Sequence, residues 1–327
     1  MKHLLDNIIY ILIFCCCKLL SLLPYKLLYL LSDGLFPVLF YVFRYRRHVV
    51  EKNLRMAFLH KSDAERYFIE KKFYHFLCDY FVETIKLLSV SKEELMQRMV
   101  MEGVECFRQS FDKQNMLFVY LGHFCNWEYI ASLQWWVEQD VLCSQLYSPL
   151  HSKPMDRLFL KIRSRFGGLN IKKKESLRTI MQLYRKGQKT VVGFISDQGP
   201  RWVNTHLFMS FLGQDTGVFT GTERIARKVN ASIYVAHITR PRRGYYHCKY
   251  ELLTEDANGY AEHELTKLYM RDLEQQIEVN PHLWLWTHNR WRRQRTAMDA
   301  PAEWKATVQD GQIISETPIS LHKSEGQ

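Results

Sequence analysis

The chain has 327 residues, enough for one large domain or two small ones around a substantial core. It is 47% hydrophobic and 14% aromatic, with 18 Tyr, 19 Phe and 8 Trp, and its net charge is +11. That balance favours an anionic partner, and no RNP-like motif, zinc finger or basic-zipper pattern accompanies it, so an acidic carrier protein or an anionic membrane surface fits better than nucleic acid.

The chain opens on "LLDNIIYILIFCCCKLLSLLPYKLLYLLSDGLFPVLFYVFRYRR". Its densest part, Leu4 to Leu23, has about the 20 residues needed to span a bilayer. Asp6, Asn7 and Lys18 interrupt it, so it fits a monotopic interfacial helix as well as a span. A helical hairpin packed on the protein's own core is the third reading, with Pro24 and Pro37 as punctuation. No small-residue cleavage site comes after it. Arg44, Arg46, Arg47 and His48 come next and favour the cytoplasmic side or anionic headgroups. Of the eight cysteines, Cys15, Cys16 and Cys17 are adjacent and the rest form no C-x-x-C pair, which argues against a disulfide framework or a zinc site. The chain divides into an anchor over 1–43, a body over 44–299 and a polar tail over 300–327.

In the body, "RHVVEKNLRMAFL" reads as an amphipathic helix. A longer helix comes next over "KSDAERYFIEKKFYHFLCDYFVETIKLL", opened by a capping box of Ser62 and Glu65. "SKEELMQRM" is a third, capped by Ser91. Strands and helices then alternate: "NMLFVYLG" a strand, "NWEYIASLQWWVEQ" a helix, "VLCSQLYSP" a strand, "KPMDRLFLKIRSRFG" a helix, "SLRTIMQLYRKG" a helix and "KTVVGFISD" a strand. "GTERIARKVN" is a helix and "ASIYVAHITR" a strand that turns at Arg240 to Gly244 into a returning strand, "YYHCKYELL". "EHELTKLYMRDLEQQIEVNP" closes the series as a helix. This order predicts an α/β fold: a mostly parallel central sheet flanked by helices, one antiparallel hairpin, and an N-terminal hydrophobic membrane-anchor helix.

In open α/β sheets, ligands bind beyond the carboxyl ends of the strands. His123 and Glu128 fall there, after the strand ending at Leu121. A neutral imidazole nitrogen can serve as general base, and Glu128 can accept the other ring N–H and fix the tautomer. The pair has no nucleophile of its own, so the nucleophile is a substrate hydroxyl attacking an acyl group. The alternative is a capping His123 with Glu128 on the surface. Cys125 suits a small buried filler better than a nucleophile. A metal at His123 would need H-E-x-x-H or a ligand cluster, and the sequence shows neither.

"GHFCNWE" resembles the H-x4-D/E hallmark of the late acyltransferases of lipid A biosynthesis, within the wider glycerolipid acyltransferases. The resemblance runs from Leu4 to Arg293. It is carried in order by "YRRHVVEKNLRMAF", "RSRFG" (Arg163 to Gly167), "SDQGP" (Ser196 to Pro200) with "FLG" and "GTERIARKVNASIYVAHITR", and "NPHLWLWTHNRWR" (Asn280 to Arg292). It departs from the family pattern in a shorter loop between Asp197 and Pro200 and in Leu212, where relatives carry Phe. The resemblance implies His123 as general base with Glu128 as partner, and an acyltransferase domain over 44–299. It implies positioning or oxyanion roles at Arg163 and Arg165, and substrate binding at Asp197 and Gly199. The alternatives are a solvated helix face for the arginines and a turn role for Asp197. Trp284, Trp286 and Trp291, alternating with Arg290, Arg292, Arg293 and Arg295, fit either the headgroup level or a Trp-rich core with a basic end. Lys172, Lys173 and Lys174 fit an acidic carrier or anionic lipid, or a solvated face.

The resulting expectation is a membrane-associated O-acyltransferase needing no metal or other cofactor. It takes a fatty acyl chain from a thioester of acyl carrier protein, with coenzyme A as the alternative donor, and delivers it to a hydroxyl of a lipid A precursor. It works at the inner membrane with its catalytic domain facing the cytoplasm. Other readings are the same chemistry on a lysophospholipid, aminolipid or glycolipid, a non-catalytic lipid-binding membrane protein, and a metal-dependent lipid hydrolase.

Overall fold

The computed structural model describes residues 2–293 and two paired two-residue strands, Val308–Gln309 and Gln312–Ile313. The rest of the tail predicted over 300–327, and Arg295, lie outside the described residues. The helical N-terminal part comprises α1 (Lys2–Leu22), α2 (Tyr25–Pro37, continued by a π turn over Val38–Val42), α3 (Arg47–Ala57), α4 (Asp63–Lys86) and α5 (Lys92–Arg98). Pro24 starts α2, where a missing N–H costs nothing. The predicted capping box is formed: Glu65 N donates to Ser62 Oγ at 3.3 Å, and Ser62 N to Glu65 Oε2 at 2.8 Å.

The α/β part runs β1 (Met99–Glu102), α6 (Cys106–Phe111), β2 (Met116–Leu121), β3 (Leu142–Tyr147), α7 (Lys153–Ser164), β4 (Leu169–Lys172), α8 (Ser176–Arg185) and β5 (Thr190–Ile195). It continues with β6 (Leu207–Phe211), β7 (Gln214–Val218), α9 (Gly221–Val229), β8 (Ser232–Arg242), β9 (Tyr245–Thr254) and α10 (Glu264–Val279). Seven strands form one sheet in the order β1-β9-β8-β2-β5-β3-β4, parallel except for the β8/β9 hairpin. All six residues of β2 are buried, as expected of a central strand covered on both faces. Leu121 of β2 is in register with Ile195 of β5, so these neighbours end at the same level.

Two segments differ from the sequence reading. Trp127–Trp135 forms 3-10 turns rather than an α-helix. Asn126, placed to cap an α-helix there, instead commits its amide to the buried Glu83 at 2.7 Å. The β6–β7 hairpin was not expected from the sequence. Its turn residues Leu212 and Gly213 both have positive φ, 52° and 70°, and a Leu in that position hides the usual Asn-Gly or Asp-Gly signal.

The N-terminal helices fit an anchor. α1 and α2 are each long and apolar enough to cross a membrane, over Leu4–Leu22 and Tyr25–Val42. α2 packs along α4, with Ser32 Oγ donating to Asp79 at 2.7 Å and the Tyr29 hydroxyl to Glu83 at 3.0 Å.

Candidate active site

Two residues beyond the paired ends of β2 and β5 stand His123 and Asp197. The register carries them to one level, and their side chains meet: His123 Nδ1 lies 2.6 Å from Asp197 Oδ1. Asp197 Oδ2 accepts from His123 N at 2.9 Å and from Trp284 Nε1 at 2.7 Å. Burial alone would raise the Asp197 pKa. The facing His123 ring, its N–H groups and the Trp284 indole more than offset it, holding the carboxyl at about 2. Asp197 is 1% exposed whereas the His123 side chain is 19% exposed, so the dyad presents the imidazole and hides the carboxylate. Gln198 Nε2 lies 3.4 Å from His123 Nε2, on the side of the ring away from Asp197.

The loop is held from several directions. Leu285 N donates to His123 O at 3.0 Å, and Cys125 N to Leu283 O at 2.9 Å. Gly122 leaves space for Leu273 of α10: a Cβ there would come within 2.7 Å of Leu273 Cδ1 and 3.5 Å of Asp197 Oδ2. Cys125 has φ 52°, the left-handed bend that turns the chain beneath the imidazole. Its thiol is fully buried and its pKa is raised well above the usual value by burial, so it stays protonated and packs as a filler. Asn126 completes the fastening through Glu83, which also accepts from the Tyr246 hydroxyl at 2.6 Å.

The sequence expectation that Glu128 accepts the His123 ring N–H is corrected here, since Asp197 occupies that place. Glu128 takes a bidentate pair from Arg163 of α7, Nε at 2.8 Å and Nη2 at 2.6 Å, with the Tyr80 hydroxyl at 3.4 Å. The reason lies in the backbone. The bend at Cys125 and the 3-10 turns after it direct Glu128 toward α4 and α7, and the Trp127 ring packs edge-on to His123 at 5.0 Å and against Tyr80 at 4.5 Å. The His123–Asp197 contact and the Glu128–Arg163 ion pair thus lie on either side of Trp127. Burial would lower the Arg163 pKa, but the neighbouring Glu128 carboxylate more than offsets it, so the guanidinium stays protonated.

Arg165 joins neither pair. Its guanidinium donates to Leu87 O at 2.7 Å and to Val90 O, closing the carbonyl end of α4. Gly199 belongs to the floor of the site, its N–H donating to His288 Nε2 at 3.1 Å. Burial, and then the Arg290 charge, lower the His288 pKa to about 4, which keeps it a neutral acceptor. Asn53 Nδ2 fastens this strip from α3 by donating to Trp286 O at 2.9 Å and His288 O at 2.7 Å.

The Trp–Arg segment is core rather than headgroup surface. Trp284, Trp286 and Trp291 are buried, and Trp291 Nε1 donates to Thr216 Oγ1 at 2.8 Å. Arg290 is buried too, with Nη2 donating to Gly217 O at 3.0 Å. Burial lowers its pKa to about 10, and the Asp197 charge opposes that fall. Gln198, Trp284, His288 and Arg290 were not read from the sequence as parts of one site. Only Gln198, next to Asp197, had a sequence signal; Trp284, His288 and Arg290 are brought to the site by the fold. Lys172, Lys173 and Lys174 are exposed at the end of the edge strand β4, three strands from β2 but at the same carboxyl end of the sheet as His123, and Lys173 Nζ lies over the Phe219 ring at 3.5 Å.

A partly exposed imidazole with a buried, ionised carboxylate behind it is an arrangement for taking a proton from a bound hydroxyl. The family model described as bacterial lipid A biosynthesis acyltransferase matches residues 1–293. Comparison with the curated proteins finds no match.

Proposed function

The chain belongs to the bacterial lipid A biosynthesis acyltransferase family, and on that premise we propose that it transfers a fatty acyl chain from a thioester to a hydroxyl of a lipid A precursor, with His123 as general base. The observation that carries this reading is the 2.6 Å contact between His123 Nδ1 and the buried Asp197. With Nδ1–H donating to Asp197, Nε2 carries the free lone pair.

Nε2 takes the acceptor hydroxyl's proton as that oxygen attacks the thioester carbonyl carbon. The carbonyl π pair moves onto oxygen. When the tetrahedral intermediate collapses, the C–S bond breaks and the leaving thiolate takes the proton back from the imidazolium. Asp197 stabilises the imidazolium in between. Gln198 Nε2, beside His123 Nε2, is placed to donate to the developing oxyanion. Arg163, oriented by Glu128, acts as a positioning cation on the other side of Trp127. Gly199 keeps the Asp197 loop seated on His288. No acyl-enzyme forms, because the nucleophile belongs to the acceptor.

Acyl carrier protein is the donor we favour over coenzyme A, since Lys172 to Lys174 present positive charge at the same carboxyl end of the sheet as the dyad. The acceptor is a membrane lipid, and the working place is the cytoplasmic face of the inner membrane. The test is a mass-spectrometric transfer assay on purified protein, offering both thioesters against a lipid A precursor and a lysophospholipid. Mass gain on the lipid A precursor alone supports the reading. Gain on the lysophospholipid alone, or on neither acceptor, overturns it.

A further inference from the structure

By length alone α1 matches the hydrocarbon core: the 19 residues of Leu4–Leu22 rise about 28 Å against a core of about 30 Å. Only 6% of that segment is buried within the protein. Yet α1 does not stand away from the catalytic body; it is tied to it at both ends. Near its start, Arg157 of α7 donates from Nη1 to Asn7 Oδ1 at 2.6 Å and stacks over the Tyr10 ring at 3.9 Å. At its end, Lys86 Nζ of α4 donates to Ser21 O at 3.0 Å and Leu23 O at 2.9 Å. Lys18 Nζ answers with a bond to Leu88 O at 3.0 Å.

These ties have a geometric consequence. Residues 7 to 23 run about 24 Å alongside α7 and the end of α4. If α1 stood across a bilayer, α7 would be carried into the hydrocarbon with it. The exposed face of α7 bears Lys153, Arg157 and Lys161. Cations facing acyl chains are expensive and rare. Laid flat, α1 turns its exposed Leu and Ile side chains to the acyl chains and leaves the α7 cations at the headgroups, where long basic side chains are at home. The end of α2 agrees: Tyr41, Val42 and Phe43 are exposed apolar residues, succeeded at once by the exposed Arg44, Tyr45 and Arg46, the order of an interfacial belt.

We propose that α1 and α2 form an in-plane platform on an anionic bilayer surface, that neither helix crosses it, and that the chain from residue 2 to residue 293 stays on one side. The partner class, a lipid surface, rests on the proposed lipid acceptor, but the topology does not depend on transfer activity. The platform is coupled to the site through α7, which binds α1 at Arg157 and Glu128 at Arg163. A lipid acceptor then reaches His123 while its chains remain in the membrane.

The experiment is side-specific labelling of the full chain in sealed vesicles of defined orientation. Cys15, Cys16, Cys17 and Cys106 are replaced by Ser, the four buried cysteines are kept, and single Lys2→Cys, Lys26→Cys and Lys186→Cys variants are probed with a membrane-impermeant maleimide. The expected result is that all three label from the same side. If Lys2→Cys labels only from the opposite side or only after permeabilisation, α1 crosses and the proposal fails. If Lys26→Cys does so, α1 and α2 cross as a hairpin and it fails equally. Because labelling reads topology alone, its failure is distinct from a failure to transfer acyl chains.

Discussion

Asp197→Asn removes one charge and almost no volume, and its effect is set by the hydrogen bonds around the carboxylate. Asp197 Oδ2 accepts from His123 N and Trp284 Nε1, while Oδ1 faces His123 Nδ1. The Asn side chain has one acceptor oxygen. Placed at the Oδ2 position, it keeps two donors satisfied and turns its NH2 toward His123 Nδ1. Nδ1 must then be the acceptor, the proton moves to Nε2, and the base lone pair is lost. The same tautomer error in a serine-protease triad lowers kcat by about 10⁴-fold, or about 5.4 kcal/mol at 1.36 kcal/mol per tenfold. We expect a comparable fall in kcat with saturating thioester and acceptor, with thermal unfolding confirming that the variant is folded. A variant within tenfold of wild type would refute the dyad. So would a pattern in which Glu128→Gln abolishes kcat and Asp197→Asn does not.

Other substitutions separate the remaining roles. Glu128→Ala leaves Arg163 unpaired in a largely buried place and should cost about 3–5 kcal/mol of stability. Adding Arg163→Met should recover part of that loss in denaturant unfolding, and strict additivity of the two would contradict a coupled pair. Arg165→Ala should lower stability by about 1–2 kcal/mol through the lost bonds to Leu87 O and Val90 O, with kcat unchanged within a few-fold. Cys125→Ser should retain activity within tenfold; complete loss with the fold intact would revive the cysteine as a nucleophile. His288 has a folded pKa lowered to about 4, so its neutral form stabilises the protein fully above about pH 6.5, and that contribution is lost as pH falls toward 4. The melting temperature should therefore fall over that window, and His288→Gln should flatten the fall.

Charge reversal at Lys172 and Lys174 tests the donor. It should raise KM for the acyl carrier protein thioester and leave the coenzyme A thioester unaffected. A non-catalytic lipid-binding protein would instead lose function on charge reversal and keep it in His123→Ala.

The sheet was readable because its strands announce themselves. "NMLFVYLG" and "KTVVGFISD" are short apolar runs closed by polar residues, and they became the adjacent β2 and β5. His123 was readable for the same reason, as the first titratable residue after a buried strand. Its true partner was harder to read, because sequence proximity favoured Glu128 over a residue 74 positions away. The information lay in the pairing of two strand ends, which no local pattern contains. Glu128 was misassigned because the left-handed bend at Cys125 turns the chain after His123 away from the ring, and nothing in "HFCNWE" signals that bend. Arg163 and Arg165, two positions apart, diverge because α7 ends between them: one points inward to Glu128 and the other reaches across to the end of α4. The tryptophans were open to a headgroup or a core reading until Asp197, Pro281 and Thr216 supplied indole acceptors inside the fold.

The central claim is that His123 deprotonates an acceptor hydroxyl for direct attack on the thioester. Its most direct test is a single-turnover reaction of labelled acyl thioester with wild type and with His123→Gln, read by intact-mass analysis of the protein and of the lipid. Wild type should place acyl label on the lipid and His123→Gln should place none despite unchanged thioester binding, with no acylated protein in either case. Transfer by the His123→Gln variant at the wild-type rate, or a covalent acyl-protein that decays as lipid product appears, would contradict it.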